Sequence, residues 1–222
     1  MKTEGSKQTI TFLTERLWFP SVEHATSDGL VAVGGDLDPE RILAAYQKGI
    51  FPWYSADSPI LWWSPDPRMV LYPEEIRVSK SMQKVIHSRQ FELTQNRCFS
   101  EVLEQCASVP RTGQEGTWLS AEMKTAYLRL FHMGWAKSYE VWQNGTLVGG
   151  LYGLDLGHVF CGESMFSSTS NASKFALIKL AQHLQHKNYH LIDCQMYTPH
   201  LERMGARSIA RKYFLDVLQK GT

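Results

Sequence analysis

GHVFCGESMFSSTSNASKFALIKLAQHLQHKNYHLIDCQ, residues 157–195, is the segment that decides the fold of this chain. An apolar run at 158–161 predicts a strand, and the small polar residues at 167–173 predict a turn. Apolar residues then recur at helical spacing up to Leu184, and a second apolar run at 191–196 predicts another strand. This order is typical of two strands joined by a crossover helix in a largely buried sheet.

Two carboxylates, Glu163 and Asp193, lie close to these predicted strands. Because a buried carboxylate is costly unless it is paired or used, both are candidate functional residues. Side chains alternate along a strand, so we expect Asp193 and Gln195 on one face and Ile192 and Cys194 on the other. The first of these faces is polar, and we expect it to carry the chemistry.

The composition is that of a folded globular protein with one large core or two modest ones. The 222 residues are 43% hydrophobic and 12% aromatic, and a net charge of +1 does not by itself indicate a nucleic-acid-binding protein. The four cysteines form no CxxC pair and have no zinc-like spacing, so we expect reduced thiols and neither a metal nor a cofactor. Residues 1–16 are polar and lack the apolar segment of a signal peptide, which favours a cytoplasmic location away from membranes.

The first part of the chain predicts a small N-terminal domain at 1–66. The sequence Asp-Pro-Glu at 38–40 predicts a helix start with a capping side chain, and Gly49 predicts the end of this helix about three turns later. Several prolines interrupt regular structure beyond the helix. We therefore place a domain boundary at 64–67.

The second part, 67–222, predicts an α+β domain built on a mixed sheet. Asn144-Gly145 between two alternating apolar runs is a type I′ hairpin signal. The last 25 or so residues predict a helix, a Gly-Ala turn and a final strand or helix. Further helices are expected at 79–88, 99–107 and 121–133.

Common nucleotide-binding and hydrolase motifs are missing from the sequence. No GxGxxG follows a predicted strand, no Walker loop is present, and Ser164 lies in GESM rather than in GxSxG. Cys161 near His158 suggests a nucleophile and its base, but positions three apart on a strand face opposite sides. These chemistries are therefore disfavoured.

A basic run surrounds the helix predicted at 79–88. It comprises Lys80, Lys84, His87 and Arg89, is preceded by Arg77, and meets no acidic residue until Glu92. The run could be a phosphate-binding patch or a solvated surface. Runs of this size are common on surfaces, so the run alone favours the second interpretation.

Eight short blocks are specific enough for comparison with known families. They are GGDL at 34–37, AYQKGIFPWYS at 45–55, ILWWSPDPR at 60–68, EGTW at 115–118, VGGLYG at 148–153, FCGESMFS at 160–167, NASK at 171–174 and LIDCQ at 191–195. Together, and in this order, they resemble the leucyl/phenylalanyl-tRNA–protein transferase family over about Leu30 to Phe214. The SVPRTGQ loop before EGTW is longer than the family pattern, and the chain ends soon after Phe214, where relatives often carry a further tail.

The resemblance implies an acetyltransferase-like (GNAT) fold for 67–222, with the N-terminal domain contributing to the site for the tRNA end. The implied enzyme moves leucine or phenylalanine, and sometimes methionine, from aminoacyl-tRNA to the N-terminal arginine or lysine of a protein, which marks that protein for N-end-rule degradation. An α-amino group has a pKa of about 7.7–8.0, so this attack on an ester needs positioning and oxyanion donors more than a strong base. We expect a monomer.

The resemblance also implies roles for single residues. Asp193 and Gln195 would handle the acceptor amine, with Asp193 polarising Gln195. Glu163 would bind the α-ammonium group of the transferred amino acid through a charge-assisted contact. The tryptophans Trp53 and Trp118 would stack on the terminal adenosine of the tRNA.

Further substrate contacts follow from the same resemblance. The basic run of Lys80, Lys84, His87 and Arg89 becomes a contact for acceptor-stem phosphates. Tyr46 joins the substrate-binding residues, and an apolar pocket takes the transferred side chain. The pocket lining maps onto Leu151, Phe160, Met165, Leu177, Leu180, Leu184 and Ile192.

Alternatives remain for the whole chain and for its parts. An acyl-CoA-dependent N-acetyltransferase could share the fold, but the segment after Glu163 lacks the Q/R-x-x-G-x-G/A loop that binds a pyrophosphate. A non-catalytic tRNA-binding module is a third interpretation. Without the resemblance, the apolar lining would be assigned to the core. The alternative for each tryptophan is core at the domain interface, and for Glu163 and Asp193 it is a helix cap or a buried ion pair.

Overall fold

The computed structural model describes residues 10–55, 57–109 and 119–221. The strands within these ranges are β1 (Thr11–Leu13), β2 (Leu30–Gly34), β3 (Phe51–Pro52), β4 (Leu61–Trp63), β5 (Arg68–Leu71), β6 (Glu92–Gln95), β7 (Ala136–Gln143), β8 (Thr146–Asp155), β9 (Val159–Ser167), β10 (Leu191–Gln195) and β11 (Arg207–Ile209). The helices are α1 (Pro39–Tyr46), α2 (Lys80–His87), α3 (Phe99–Ser108), α4 (Ala121–His132), α5 (Ala172–His186), α6 (Pro199–Arg203) and α7 (Arg211–Gln219).

The strands form two sheets. The smaller sheet has the order β1-β2-β4-β3 and comes from the N-terminal part of the chain. The larger has the order β11-β5-β10-β9-β8-β7-β6, in which β9 and β10 are parallel and the other pairs are antiparallel. The predicted α+β class, with a small N-terminal unit and a mixed sheet, is confirmed.

The central segment of the sequence folds as predicted. Strand β9 leads through a turn into α5, and β10 returns beside β9 in parallel register. Helix α5 buries apolar side chains on most of its circumference because it crosses over the sheet. Burial of each leucine or phenylalanine stabilises the folded state by about 1.5–3 kcal/mol. The crossover therefore fixes the relative position of the two strands that carry Glu163 and Asp193.

Two apolar cores cover the two faces of the larger sheet. On one face, Met69, Leu71 and Ile192 pack with α5 and with Met82 of α2. On the other face, Val70 and Leu191 pack in one cluster with buried residues of α3, α4, α7 and the smaller sheet. The alternation of strand side chains thus separates the two cores, and the N-terminal part shares the second of them.

Some local predictions hold and others need correction. Asn144 and Gly145 have φ of 51° and 76°, as the predicted type I′ hairpin turn requires, and α1 begins at Pro39 as expected. Helix α1 has 8 residues, about two turns instead of three. The predicted cap is wrong, because Asp38 makes no side-chain cap bond and its Oδ1 accepts from Arg129 Nη2 at 3.1 Å instead.

No helix of the described ranges is both long enough and apolar enough to cross a membrane.

A close backbone approach at Gly153 gives a test of this packing. A Cβ at Gly153 would overlap the carbonyl oxygen of Cys161 and the ring of Phe160, so Gly153→Ala should lower the free energy of unfolding by about 1–3 kcal/mol in urea titrations. At Gly162 the nearest atom to a new Cβ is the Asp193 carbonyl oxygen at 3.6 Å, an ordinary contact. Gly162→Ala should therefore be neutral or slightly stabilising, and equal losses in both variants would contradict the β8–β9 packing.

Candidate active site

The larger sheet opens where β9 and β10 separate. Their parallel pairing runs as far as Cys161 and Asp193. Beyond that point the register of β9 with β8 passes from Gly162 to Ser164, which leaves Glu163 as an extra residue. A bulge of this kind bends the strand and redirects its side chains, as often happens beside active sites.

A second bulge lies on the neighbouring strand. The register of β10 with β5 passes from Asp193 to Gln195 and leaves Cys194 as the extra residue. Gln195 has a φ of 64°, in the left-handed region. Two adjacent strands are therefore interrupted at the same level, and a cavity begins there.

The cavity has a volume of about 530 Å³ and is mainly apolar. Its walls come from β3, the bulged parts of β9 and β10, helix α5, and the segment that joins β10 to α6. The lining residues are Phe51, Pro52, Trp53, Leu151, Tyr152, Gly162, Glu163, Ser164, Met165, Leu177, Leu180, Ile192, Cys194, Gln195, Met196, Tyr197, Thr198, His200 and Leu201. A few polar groups in an apolar concave site are typical of small-molecule binding.

Glu163 is the acidic group of this cavity wall and is held by neutral donors. Tyr46 Oη donates to Oε1 at 2.6 Å, and Tyr127 Oη donates to Oε2 at 2.7 Å. Gln195 Nε2 also donates to Oε1, at 2.9 Å. The carboxyl group is therefore fixed in orientation, and no cation of the described residues forms an ion pair with it.

This environment changes the acidity of Glu163. Burial raises the pKa of Glu163 to about 7, although the hydrogen bonds from Tyr46 and Tyr127 oppose the rise. The negative charge of Asp193 raises it further, and the bond from Gln195 lowers it. At neutral pH the carboxyl group can therefore exchange a proton, and a cation bound in the cavity would stabilise its ionised form.

Asp193 is in a different situation, because it is fully buried and faces a cation. Arg68 Nε and Nη2 donate to its two carboxylate oxygens at 2.8 and 2.7 Å, and the exposure of the two side chains is 1% for Arg68 and 0% for Asp193. Removing one partner of such a pair typically lowers the stability of the folded state by about 3–5 kcal/mol, because the other charge stays buried without compensation. Asp193 does not line the cavity, so it lies beneath the site rather than in it.

The expected arrangement of Asp193 and Gln195 on one face is wrong. The bulge at Cys194 interrupts the alternation, so the Gln195 side chain lines the cavity while the Asp193 side chain points into the core. The two residues are in contact, but Asp193 Oδ1 accepts from the backbone N–H of Gln195 at 2.9 Å. The side-chain amide of Gln195 bonds to Glu163 instead, which turns its nitrogen toward the carboxylate.

Trp53 lies in the cavity wall and is supported from behind. The indole N–H of Trp63 donates to the Trp53 carbonyl oxygen at 2.6 Å, and the two rings meet edge to face at 6.1 Å. The other predicted stacking residue, Trp118, and the loop before it at 110–117 lie outside the described residues. Of the two tryptophans expected to stack on the adenosine, Trp53 is therefore the one within the described residues.

The predicted apolar lining is mostly, but not wholly, exposed to the cavity. Phe160 and Leu184 do not line it and are buried in the core beside it. Tyr46 is also buried and acts on the cavity through its bond to Glu163. The members that do line the cavity are Leu151, Met165, Leu177, Leu180 and Ile192.

The basic run on α2 is exposed. Lys80, Lys84, His87 and Arg89 all lie on the surface, and none of them forms an ion pair with an acidic residue of the described ranges. Helix α2 packs against α5, which itself lines the cavity through Leu177 and Leu180. The positive surface therefore lies on the same side of the larger sheet as the cavity wall formed by α5.

The cysteine near the cavity is not an activated nucleophile. Burial raises the pKa of the Cys161 thiol well above its usual value, and it also raises that of Cys194. The ring nitrogens of His158 lie 3.1 Å from the carbonyl oxygens of Leu156 and Leu218. In the described part of the chain, no group of three His, Cys, Asp or Glu side chains could hold a metal ion.

Several functional contacts escaped the sequence analysis. Tyr127 lies on the buried face of α4, where a tyrosine hydroxyl needs a partner, and this was the available signal. Arg68 follows a proline-rich loop that gives no sign of its burial. The segment from Met196 to Leu201, which forms one rim of the cavity, has no distinctive sequence pattern.

One solved structure illustrates a weak likeness. A ribosomal-protein-alanine N-acetyltransferase from Brucella melitensis biovar Abortus matches with 14% identity and a TM-score of 0.36, covering 52% of this chain and 86% of that one. A likeness of this size does not establish a shared fold, so the acetyltransferase-like fold of 67–222 stays a prediction.

Sequence comparisons are much stronger. The family model for leucyl/phenylalanyl-tRNA protein transferase matches residues 70–219, and the model for the N-terminal domain of this transferase matches 35–66. A leucyl/phenylalanyl-tRNA–protein transferase from Flavobacterium johnsoniae is 55% identical over 208 residues, 94% of this chain and 98% of the relative. One from Azoarcus sp. is 53% identical, covering 96% and 91%. The chain therefore belongs to the leucyl/phenylalanyl-tRNA–protein transferase family.

Proposed function

We propose that this protein transfers leucine or phenylalanine, and sometimes methionine, from aminoacyl-tRNA to the N-terminal arginine or lysine of an acceptor protein. The observation that carries the proposal is one apolar cavity in which Glu163, Gln195 and Trp53 meet. The proposal includes N-end-rule degradation of the product, a monomer in the cytoplasm, and a division of the chain at 66/67. The N-terminal unit then serves the tRNA end, and the C-terminal unit carries the reaction.

The donor ester needs three contacts, and the cavity offers a group for each. A cationic α-ammonium group suits Glu163, whose carboxyl group has neutral donors around it. An apolar side chain suits the wall of Leu151, Leu177 and Leu180. The binding free energies of side chains that differ by a methylene differ by only about 1–3 kcal/mol on such a wall. This small difference agrees with a donor set of several apolar amino acids.

The nucleotide end requires a different surface. Trp53, fixed by its contacts with Trp63, offers an indole face for the terminal adenine, and base stacking contributes about 1–3 kcal/mol. Trp118 is proposed as the second stacking residue. Because every tRNA ends in the same nucleotide, this contact suits donors charged with different amino acids.

The transfer reaction moves one acyl group and one proton. The nitrogen of the acceptor amine attacks the ester carbonyl carbon, an amide bond forms, and the bond to the ribose 3′ oxygen breaks. The proton lost by the amine ends on that oxygen. Gln195 Nε2 faces Glu163, so its amide oxygen faces elsewhere and is suited to orient the amine, while a neutral amide is too weak a base to remove the proton alone.

A transfer assay tests the proposal against its alternatives. The protein is mixed with leucyl-tRNA and a peptide that begins with arginine, and in a parallel reaction with acetyl-CoA and the same peptide. We expect leucine on the peptide N-terminus and no acetyl group. Acetyl transfer would support an N-acetyltransferase, and tRNA binding without any transfer would support a non-catalytic module.

The acidity of Glu163 makes the reaction depend on pH. Donor binding needs the ionised form, so kcat/KM for aminoacyl-tRNA should rise as the pH increases through about 7. Tyr127→Phe removes a hydrogen bond that stabilises the carboxylate, so the pKa of Glu163 and this limb of the profile should move upward, by about one unit. Tyr139→Phe is the control, because this buried tyrosine does not contact Glu163. The assignment fails if both variants keep the original profile.

Binding of the acceptor stem should depend on salt. Replacing Lys80 and Lys84 by alanine should weaken binding of every charged tRNA alike, because phosphate contacts carry no sequence information. The slope of log affinity against log salt should become shallower by about one for each phosphate that the variant no longer neutralises. Lys220→Ala, at an exposed lysine after α7, is the matched control and should leave the slope unchanged. A slope unaltered in the double variant would remove α2 from the tRNA site.

A further inference from the structure

We propose that Arg68 is a positioning residue for the transfer reaction, acting on Gln195 through Asp193. The inference rests on the proposed function and deepens it. Arg68 does not line the cavity, so its effect would pass through two hydrogen-bonded contacts. Neither the family resemblance nor the predicted lining assigned it any role.

The first contact is the buried ion pair. The guanidinium group meets both carboxylate oxygens of Asp193, a two-bond geometry that fixes direction as well as distance. The remaining nitrogen, Nη1, donates to the carbonyl oxygen of Gly49 at 3.2 Å. All three nitrogens of the guanidinium are therefore engaged.

The guanidinium also lies over two aromatic rings. Its central carbon lies 4.7 Å from the centre of the Phe51 ring and 4.6 Å from that of Phe214. These rings come from β3 and from α7, and Asp193 lies on β10. The guanidinium therefore contacts three parts of the chain that are distant in sequence. A buried cation over two aromatic rings is held more strongly than one without them, and its two bonds to Asp193 restrain that carboxylate in turn.

The second contact passes this restraint to the cavity. Asp193 Oδ1 accepts from the Arg68 Nε and also from the backbone N–H of Gln195 at 2.9 Å. Gln195 has a left-handed φ of 64°, which a residue with a side chain rarely adopts without support. The bond to Asp193 supplies that support, and it sets the direction in which the Gln195 side chain leaves the backbone.

The donor site has restraints that do not depend on Gln195. Trp53 is held by its bond and ring contact with Trp63, and Glu163 keeps its bonds from Tyr46 and Tyr127 when the bond from Gln195 is lost. Loss of the Arg68 restraint should therefore misplace Gln195 and the acceptor amine more than the donor. This separation gives a signature that a general loss of stability does not have.

Arg68→Lys is the first test, because lysine keeps the charge but cannot form the two-bond contact together with the Gly49 bond. In single turnover at saturating leucyl-tRNA, the rate of transfer to an arginine peptide should fall on the order of 10²-fold. The Kd of leucyl-tRNA should change much less than this rate, because Glu163 keeps its bonds from Tyr46 and Tyr127. Arg41→Lys is the matched control: Arg41 is 2% exposed, pairs with Asp36, and should leave the transfer rate unchanged when replaced.

A double-mutant cycle tests whether Arg68 acts through Gln195. In a Gln195→Ala background, Arg68→Lys should reduce the rate by about threefold or less, because the group that it positions is gone. Additive losses, or an equal loss of donor affinity, would overturn the inference. Transfer by the wild-type protein must be seen first, and its absence would overturn the proposed function instead.

A second variant covers the case in which Arg68→Lys does not fold. Phe214→Leu keeps the ion pair and removes one of the two ring contacts of the guanidinium. Its rate loss should be smaller, with a Kd of leucyl-tRNA that again changes much less than the rate, and with the same dependence on Gln195. A Phe214→Leu protein whose rate loss is unaffected by Gln195→Ala would contradict the positioning role.

Discussion

Two carboxylates on neighbouring strands of one sheet, Glu163 and Asp193, set the constraint on which this structure depends. A low-dielectric interior does not accept two close negative charges unless each is compensated. The chain compensates them in different ways: Asp193 has Arg68, and Glu163 has neutral hydroxyl and amide donors. One anion is therefore fixed beneath the cavity, and the other remains able to exchange a proton at its wall.

This division explains why the N-terminal part is packed into the larger unit. Tyr46 of α1 reaches Glu163, Gly49 and Phe51 contact Arg68, and Trp53 forms a cavity wall. The N-terminal part thus supplies contacts to both carboxylate environments as well as to the cavity. Its removal would leave a buried arginine and a buried glutamate each short of partners, so the site and the junction between the two sheets form together.

The sequence predicted regular features well because they follow from local patterns. The crossover unit of β9, α5 and β10 and the Asn144-Gly145 turn were predicted from periodicity and turn residues. The sequence did not predict the two bulges. The alternation rule, which placed Gln195 and Asp193 on one face, assumes an uninterrupted strand. The Arg68–Asp193 pair joins residues 125 positions apart, and a helical pattern shows that a tyrosine is buried but not what it meets.

We propose that one cavity holds the aminoacylated nucleotide end, with its ammonium group at Glu163 and its adenine at Trp53. A crystal structure with a non-hydrolysable 3′-amide analogue of leucyl-adenosine tests this directly. We expect the ammonium nitrogen within about 3 Å of a Glu163 oxygen, and the leucine side chain against Leu177 and Leu180. An analogue bound elsewhere, or bound in this cavity with its ammonium group far from Glu163, would contradict it.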